Sequence, residues 1–158
     1  MPAADLAWML AAFALVLLMF PGLALFYGGM MKGRNALNMF MMVMGSMAIT
    51  ALVYVAFGHG LVLGDSVGGL GLIGNPLEYA GWTAFTADDG SDSAYWGAFY
   101  TLFAAISIGI VASGGAGRMR FGAWLVFSAV WIVLVYAPLA HWVFAFSDEE
   151  SGVVGGWM

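Results

Sequence analysis

The charged residues of this chain are sorted by sign along the sequence. All four basic residues occur in two short gaps, Lys32 and Arg34 in the first and Arg118 and Arg120 in the second. The nine acidic residues lie elsewhere, at Asp5, Asp65, Glu78, Asp88, Asp89, Asp92, Asp148, Glu149 and Glu150. Four long apolar stretches separate these charged islands. Short loops rich in Lys and Arg stay cytoplasmic during membrane insertion, so the pattern predicts four crossings with both termini outside.

Composition places the chain among helical membrane proteins. Of its 158 residues, 63% are hydrophobic and only 8% are charged, which leaves too little polar surface for a soluble domain of this size. Two isolated basic pairs give no electrostatic basis for binding nucleic acid. Cysteine is absent, which excludes disulfides and cysteine metal sites from these residues. No motif of covalent chemistry occurs, so we expect no enzyme activity, no cofactor and no metal.

Apolar length predicts four transmembrane helices, over about residues 6–31, 37–63, 95–114 and 121–146. About 20 helical residues cross the hydrocarbon core, so each stretch is long enough. The intervening segment, about residues 64–94, is rich in glycine and acids and is typical of an extracellular loop. The first stretch follows Asp5 rather than a basic segment, which favours a retained helix over a cleaved signal peptide. The expected fold class is an all-α membrane protein with its N-terminus outside.

The third apolar stretch has two distinct faces. Small residues recur every four positions, at Ala105, Gly109, Ser113 and Gly117. Such a ridge lets helix backbones approach closely in lipid. Phe99, Phe103 and Ser107 follow the same spacing two residues out of phase, which puts them on the opposite side of the helix. From spacing alone, two phenyl rings that face lipid or fill the core are the more frequent explanation.

Both histidines, His59 and His141, are expected near outer helix ends. An ionisable group inside a membrane is a functional candidate, but a histidine near the interface often only completes a hydrogen-bond network. Trp142 fits an interfacial aromatic belt. The acids of the outer segments are most simply solvated loop charges. They would also raise the local concentration of cations at an outer mouth, or reflect a high-salt habitat.

Three segments resemble the ammonium transporter (Amt/Mep/Rh) family. The stretch Phe20 to Asn35 (FPGLALFYGGMMKGRN) is similar to its first helix and following turn. Ala98 to Phe121, ending in GRMRF, resembles its third helix and next turn, and Trp131 to Trp142, with YAPLAHW, resembles its fourth. The segments occur in the right order and cover nearly the whole chain.

The resemblance implies a homotrimeric, multi-pass plasma (inner) membrane protein that conducts ammonium or ammonia through each subunit. By position, Phe103 would be the gate phenylalanine of the third helix, and Phe99 would lie one turn further out beside the pathway. Phe144 occupies the outer position where the family commonly has tryptophan. Ser107, Trp142 and His141 are secondary candidates for the substrate pathway.

The family has eleven spans built on two inverted five-helix repeats, and its pathway lies between the halves. The resemblance therefore implies that these residues are the N-terminal portion of such a transporter and that they do not conduct alone. A small four-span membrane subunit without transport activity is the alternative. The family's cytoplasmic regulatory partner is a further expected contact of the intact protein.

Overall fold

The computed structural model describes residues 3–80, 93–146 and 155–156. Within them, four helices are long and apolar enough to cross a membrane, at Ala3–Met30, Asn35–Leu63, Tyr95–Gly115 and Phe121–Phe144. The prediction of an all-α membrane protein with four transmembrane helices is confirmed for this part of the chain. The acids Asp88, Asp89, Asp92 and Asp148 to Glu150 lie outside the described residues.

Two of the four spans combine α-helical and π-helical turns. In chain order the helical segments are α1 (Ala3–Met30), α2 (Gly33–Val53), a π turn (Tyr54–Gly58), α3 (His59–Leu63), a 3-10 turn (Val67–Gly69), α4 (Ser93–Gly115), α5 (Phe121–Trp131), a second π turn (Ile132–Tyr136) and α6 (Ala137–Phe144). The second span thus comprises α2, the first π turn and α3. The fourth comprises α5, the second π turn and α6.

The two prolines inside spans have different surroundings. Pro21 lies within α1, which continues through it. Pro138 lies in the first turn of α6, directly after the second π turn. A proline ring crowds the carbonyl one turn earlier and lacks an N–H to bond it. In the π turn the bonding shifts by one residue, with the Ala137 N–H donating to the Ile132 carbonyl. The wider turn therefore relieves the conflict that proline creates.

The first π turn has the same register, because the His59 N–H donates to the Tyr54 carbonyl five residues earlier. The two π turns contact each other. Single-turn π segments are rare and often occur at functional sites. Each is followed directly by the short helix that bears the histidine of its span.

The chain divides into two compact units. The first comprises Met1–Ala51 with Ala98–Ser128, and the second comprises Leu52–Gly97 with Ala129–Met158. In the first unit the core is built from α1, α2, α4 and α5. Its largest fully buried side chain is Trp124.

The indole of Trp124 joins α5 to α2 by hydrogen bonds as well as by packing. Its Nε1–H lies 2.8 Å from the Ser46 Oγ and 3.1 Å from the Met42 carbonyl oxygen. The Ser46 hydroxyl in turn donates to the Met42 carbonyl at 2.7 Å. Every polar atom of this buried group therefore has a partner, as a site inside a bilayer requires.

The two basic turns meet in the first unit. Gly117 lies in the second turn with a φ of 71°, a conformation that glycine adopts without strain. A Cβ added there would lie 3.1 Å from the Asn35 Nδ2, at the start of α2. Lys32, Arg118 and Arg120 are exposed around this contact. The exposed basic side chains of both turns thus lie at one end of the first unit.

In the second unit, the loop after α3 packs its backbone directly on the helix end. Gly74 donates its N–H to the Leu61 carbonyl at 3.0 Å, and Asp65 donates its N–H to the Glu78 carboxylate at 2.7 Å. A Cβ built on Gly60 would lie 2.6 Å from the Asn75 carbonyl oxygen. Only glycine at position 60 permits this approach of loop and helix.

Gly60→Ala is accordingly expected to destabilise the loop after α3. Overpacking of this kind costs about 1–3 kcal/mol, more than alanine's gain of up to about 1 kcal/mol in helix propensity. The matched control is Gly22→Ala in α1, where nothing lies within 4 Å of the new Cβ. Faster amide exchange of residues 61–75 in Gly60→Ala, with no change in Gly22→Ala, is the expected result. Equal exchange in both variants would contradict the packing argument.

Candidate functional site

The candidate residues form two groups, one in each compact unit. Phe99, Phe103 and Ser107 lie on α4 in the first unit. His141, Trp142 and Phe144 lie on α6 in the second. Within each group the helix brings the three residues together.

The group on α4 is an aromatic pair continued by a hydroxyl. The rings of Phe99 and Phe103 meet edge to face, with centroids 4.9 Å apart and planes at 64°. The Ser107 hydroxyl donates to the Phe103 carbonyl at 2.8 Å, so its proton is used within the helix while its lone pairs stay available. Phe103 is 40% exposed in spite of its size. The pair therefore presents a polarisable surface at which a cation can lie against a ring face.

The opposite side of α4 is packed. Ala105 and Gly109 are buried, and a Cβ on Gly109 would lie 3.5 Å from Leu23 and 3.9 Å from Val43. Small residues thus let α4 approach α1 and α2 closely. Ser113 and Gly117, also part of the small-residue ridge, are exposed, and Gly117 lies beyond the helix end. Close packing fixes which way Phe103 points.

The group on α6 is centred on a fully buried histidine. The His141 Nδ1 lies 2.9 Å from the Val62 carbonyl oxygen, at the end of α3. Its Nε2 lies 2.7 Å from the Ser66 Oγ in the following loop. Both ring nitrogens therefore lie within hydrogen-bond distance of protein atoms.

Trp142 and Phe144 lie at the end of the same helix. The Trp142 indole donates to the Leu72 carbonyl at 2.9 Å, which ties this side chain to the loop. Phe144 is the last residue of α6, and its ring is 37% exposed. Of the residues on α6 singled out from the sequence, Phe144 is the most exposed.

Sequence reasoning missed Ser66, Val62 and Leu72. Ser66 is 75 residues away from His141, and Leu72 is 70 residues away from Trp142. Two of the three partners contribute only a backbone carbonyl, which carries no sequence signal. A serine in a short loop after a helix is also the ordinary composition of a turn.

His59 has aromatic surroundings. It is buried, and its ring lies edge-on to Tyr54 and Tyr79, with centroids 5.9 and 5.4 Å away. Tyr79 itself lies in the loop, outside the spans. Burial raises the pKa of the Tyr79 phenol, and the charge of Glu78, a hydrogen bond to Glu78 and the charge of Asp65 raise it further. Tyr79 is therefore a neutral hydrogen-bond donor at physiological pH.

No cluster of three or more metal-ligating side chains occurs in residues 3–80, 93–146 and 155–156. The described side chains favour a different chemistry, in which aromatic faces meet a cation and apolar walls exclude water.

The sequence matches the Ammonium Transporter Family over residues 7–158. The chain belongs to the ammonium transporter family. It is 65% identical over 158 residues to an ammonium transporter of Corynebacterium glutamicum. That match covers 100% of this chain and 35% of the relative's length. An ammonium transporter of Bacillus subtilis is 41% identical over 98% of this chain and 36% of its own length. Ammonium transporter Amt1 of Archaeoglobus fulgidus is 35% identical over 98% of this chain and 35% of its own length.

Membership in the ammonium transporter family bears on the aromatic face of α4. The four-residue spacing alone did not distinguish a functional face from rings that face lipid or fill the core. The chain spans about a third of the length of these curated relatives. The partly exposed ring of Phe103 therefore lies in a member of a family whose relatives are named ammonium transporters.

Proposed function

We propose that these residues supply the first gate and part of the outer mouth of an ammonium-conducting transporter in the plasma (inner) membrane. The observation that carries the proposal is the partly exposed Phe99–Phe103 pair on a membrane-spanning helix of an ammonium transporter family member. Phe103 acts as the gate, and Phe99 lies beside the pathway one turn further out. Ser107 offers its oxygen lone pairs to the passing species.

The physical basis is the energy of taking a charge out of water. A bare ammonium ion entering an apolar passage loses hydration that no single contact replaces. Aromatic faces offset part of this loss, by about 0.5–2 kcal/mol for each well-placed ring. Release of the proton removes the rest, because neutral ammonia needs little solvation. Potassium has no proton to release, so the same passage discriminates against it.

Phe144 is proposed to contribute to recruitment at the outer end of the fourth span. Phenylalanine presents a weaker cation–π face than the tryptophan common at this position in the family. Trp142 lies two residues earlier, about 200° away around the helix, and its indole is bonded to the loop. It is therefore a poor replacement for the missing tryptophan.

Phe144→Trp is expected to lower the ammonium concentration for half-maximal uptake by about two- to fivefold. That range corresponds to roughly 0.5–1 kcal/mol of added cation–π attraction. Uptake is measured with a full-length family member that carries these residues. The control is Phe146→Trp, which adds an indole at a residue that is 81% exposed and beyond the helix end. An equal change in both variants would contradict a specific role for position 144.

Several further properties are part of this proposal. The two basic turns face the cytoplasm and the N-terminus lies outside, as the charge pattern predicts. The intact protein is a homotrimer, and a cytoplasmic regulatory protein binds its inner face. Asp65 and Glu78, both exposed in the loop after α3, lie on the side from which ammonium arrives.

The test is ammonium flux into liposomes. A full-length member with these residues is expected to give saturable uptake, and residues 1–158 alone are expected to give none, because the pathway of inverted-repeat transporters lies between the two halves. Failure of the full-length protein to conduct would refute the proposed function. Saturable flux from residues 1–158 alone would refute the requirement for a second half.

A further inference from the structure

His141 joins three separate chain segments at the outer end of the fourth span. Its Nδ1 contacts the Val62 carbonyl at the end of α3, and its Nε2 contacts the Ser66 hydroxyl in the loop. Ser66 Oγ also lies 3.0 Å from the Gly155 carbonyl oxygen. One imidazole and one hydroxyl therefore fasten the second span, the loop and the segment at residue 155 to α6.

The available protons determine how these contacts are made. A carbonyl only accepts, so the His141 Nδ1 must carry a proton. Ser66 has a single hydroxyl proton, which goes either to the His141 Nε2 or to the Gly155 carbonyl. Both contacts are hydrogen bonds at once only when Nε2 is protonated as well. Nδ1 is protonated in each arrangement, and Nε2 faces the Ser66 hydroxyl at 2.7 Å.

These contacts fix the helix end that bears Phe144. The Ala145 N–H donates to the His141 carbonyl, and Ala145 then turns to an extended conformation that ends the helix. The Gly156 N–H donates to the Ala145 carbonyl at 2.9 Å. Because Phe144 lies between His141 and Ala145, its direction follows from how His141 is held.

We propose that His141, through Val62 and Ser66, is a positioning residue for the outer recruitment site and does not itself bind ammonium or carry its proton. The role assigned to Phe144 rests on the proposed function, whereas the fastening of the loop does not. A ligand or relay role would need a ring nitrogen open to the pathway, and this ring is fully buried with both nitrogens bonded.

A hydroxyl and an imidazole at 2.7 Å also resemble the nucleophile and base of a hydrolase. A nucleophile needs a substrate cleft beside it and donors that stabilise an oxyanion. The neighbours of Ser66 and His141 in this network, the carbonyls of Val62 and Gly155, are acceptors only. The pair is therefore suited to holding segments together.

The first test is the ¹⁵N spectrum of the histidine rings in lipid bilayers. The chain has two histidines, so a His59→Gln sample assigns the signals of His141. The expected result is a protonated, hydrogen-bonded Nδ1. Ser66→Ala should shift the Nε2 signal and leave Nδ1 unchanged. A ring with an unprotonated Nδ1 would overturn the arrangement.

The second test uses a nitroxide on the loop. Since the sequence has no cysteine, Leu70→Cys, at a position 69% exposed, gives a single labelling site. A more mobile label is expected in Ser66→Ala and His141→Ala, and parental mobility is expected in Ser66→Thr, which keeps the hydroxyl. Unchanged spectra in the two alanine variants would overturn the fastening role without bearing on ammonium transport.

The third test is transport by the full-length protein. Ser66→Ala should raise the ammonium concentration for half-maximal uptake severalfold with little change in maximal flux, and Ser66→Thr should restore it. Absence of flux from the parent protein would refute the proposed function instead. Parental kinetics in Ser66→Ala, or a fall in maximal flux at unchanged half-saturation, would overturn the positioning role.

Discussion

Replacing Phe103 by alanine is expected to reduce the ammonium-to-potassium discrimination of the full-length transporter by about tenfold or more. Removing the ring takes away a cation–π surface of up to about 2 kcal/mol, and each 1.4 kcal/mol corresponds to a factor of ten. In the proposed gate role of Phe103, removal of the ring also opens the passage to water, so that hydrated ions can follow. The measurement is ammonium flux into liposomes with potassium as competitor.

The control for Phe103→Ala is Phe26→Ala in the first span. Phe26 is 63% exposed and its ring contacts Tyr27 at 5.5 Å, so it is also a partly exposed phenylalanine in an aromatic pair. We expect little change in selectivity there. Phe99→Ala should have a smaller effect than Phe103→Ala, since its loss removes mainly an edge-to-face contact of about 0.5–1.5 kcal/mol. Parental flux and selectivity in Phe103→Ala would refute the gate assignment.

Trp124→Ala is expected to be the most destabilising single substitution in the first unit. Deletion of a fully buried tryptophan costs about 3–5 kcal/mol in protein cores, because the cavity left behind collapses only in part. The substitution also leaves the Ser46 hydroxyl without its indole donor. Resistance to unfolding in detergent, followed by near-UV circular dichroism, measures the loss.

Two variants separate packing from hydrogen bonding at this site. Trp124→Phe keeps much of the ring but removes the Nε1–H, and hydrogen bonds between membrane helices average about 0.6 kcal/mol. The stability lost in Trp124→Phe should therefore be a fraction of the stability lost in Trp124→Ala. Trp8→Ala, at a position 79% exposed, is the control for removing an indole. Equal destabilisation by Trp124→Phe and Trp124→Ala would show that the hydrogen bonds dominate instead.

The spans could be predicted from the sequence because they depend on local properties. Apolar length and the sorting of charges act on each segment separately, and the face of α4 follows from a spacing of four. The helices begin before the apolar stretches do, however. Thus α1 begins at Ala3 and α2 at Gly33, which brings polar residues of the gaps into the helices.

The contacts of His141 could not be predicted, for a physical reason. Val62 takes part through its backbone, and Ser66 is distant in sequence. The network therefore exists only once the loop after α3 has folded back on that helix. The same holds for the close approach at Gly60. Gly60 is one of 23 glycines in the sequence. Nothing in the neighbouring sequence distinguishes it from glycines such as Gly22, where an added Cβ would have nothing within 4 Å.

The two π turns change the direction in which the side chains of α3 and α6 point around the helix axis. Relative to an unbroken α-helix, a π turn holds one extra residue, and one residue corresponds to about 100° around the helix axis. A helical wheel drawn through the whole fourth span would therefore assign His141 and Phe144 to the wrong side. Loss of a single residue between Ile132 and Tyr136 would leave composition and hydropathy almost unchanged. It would nevertheless swing the imidazole away from Val62 and Ser66, so in this part of the molecule the length of the chain matters as much as its chemistry.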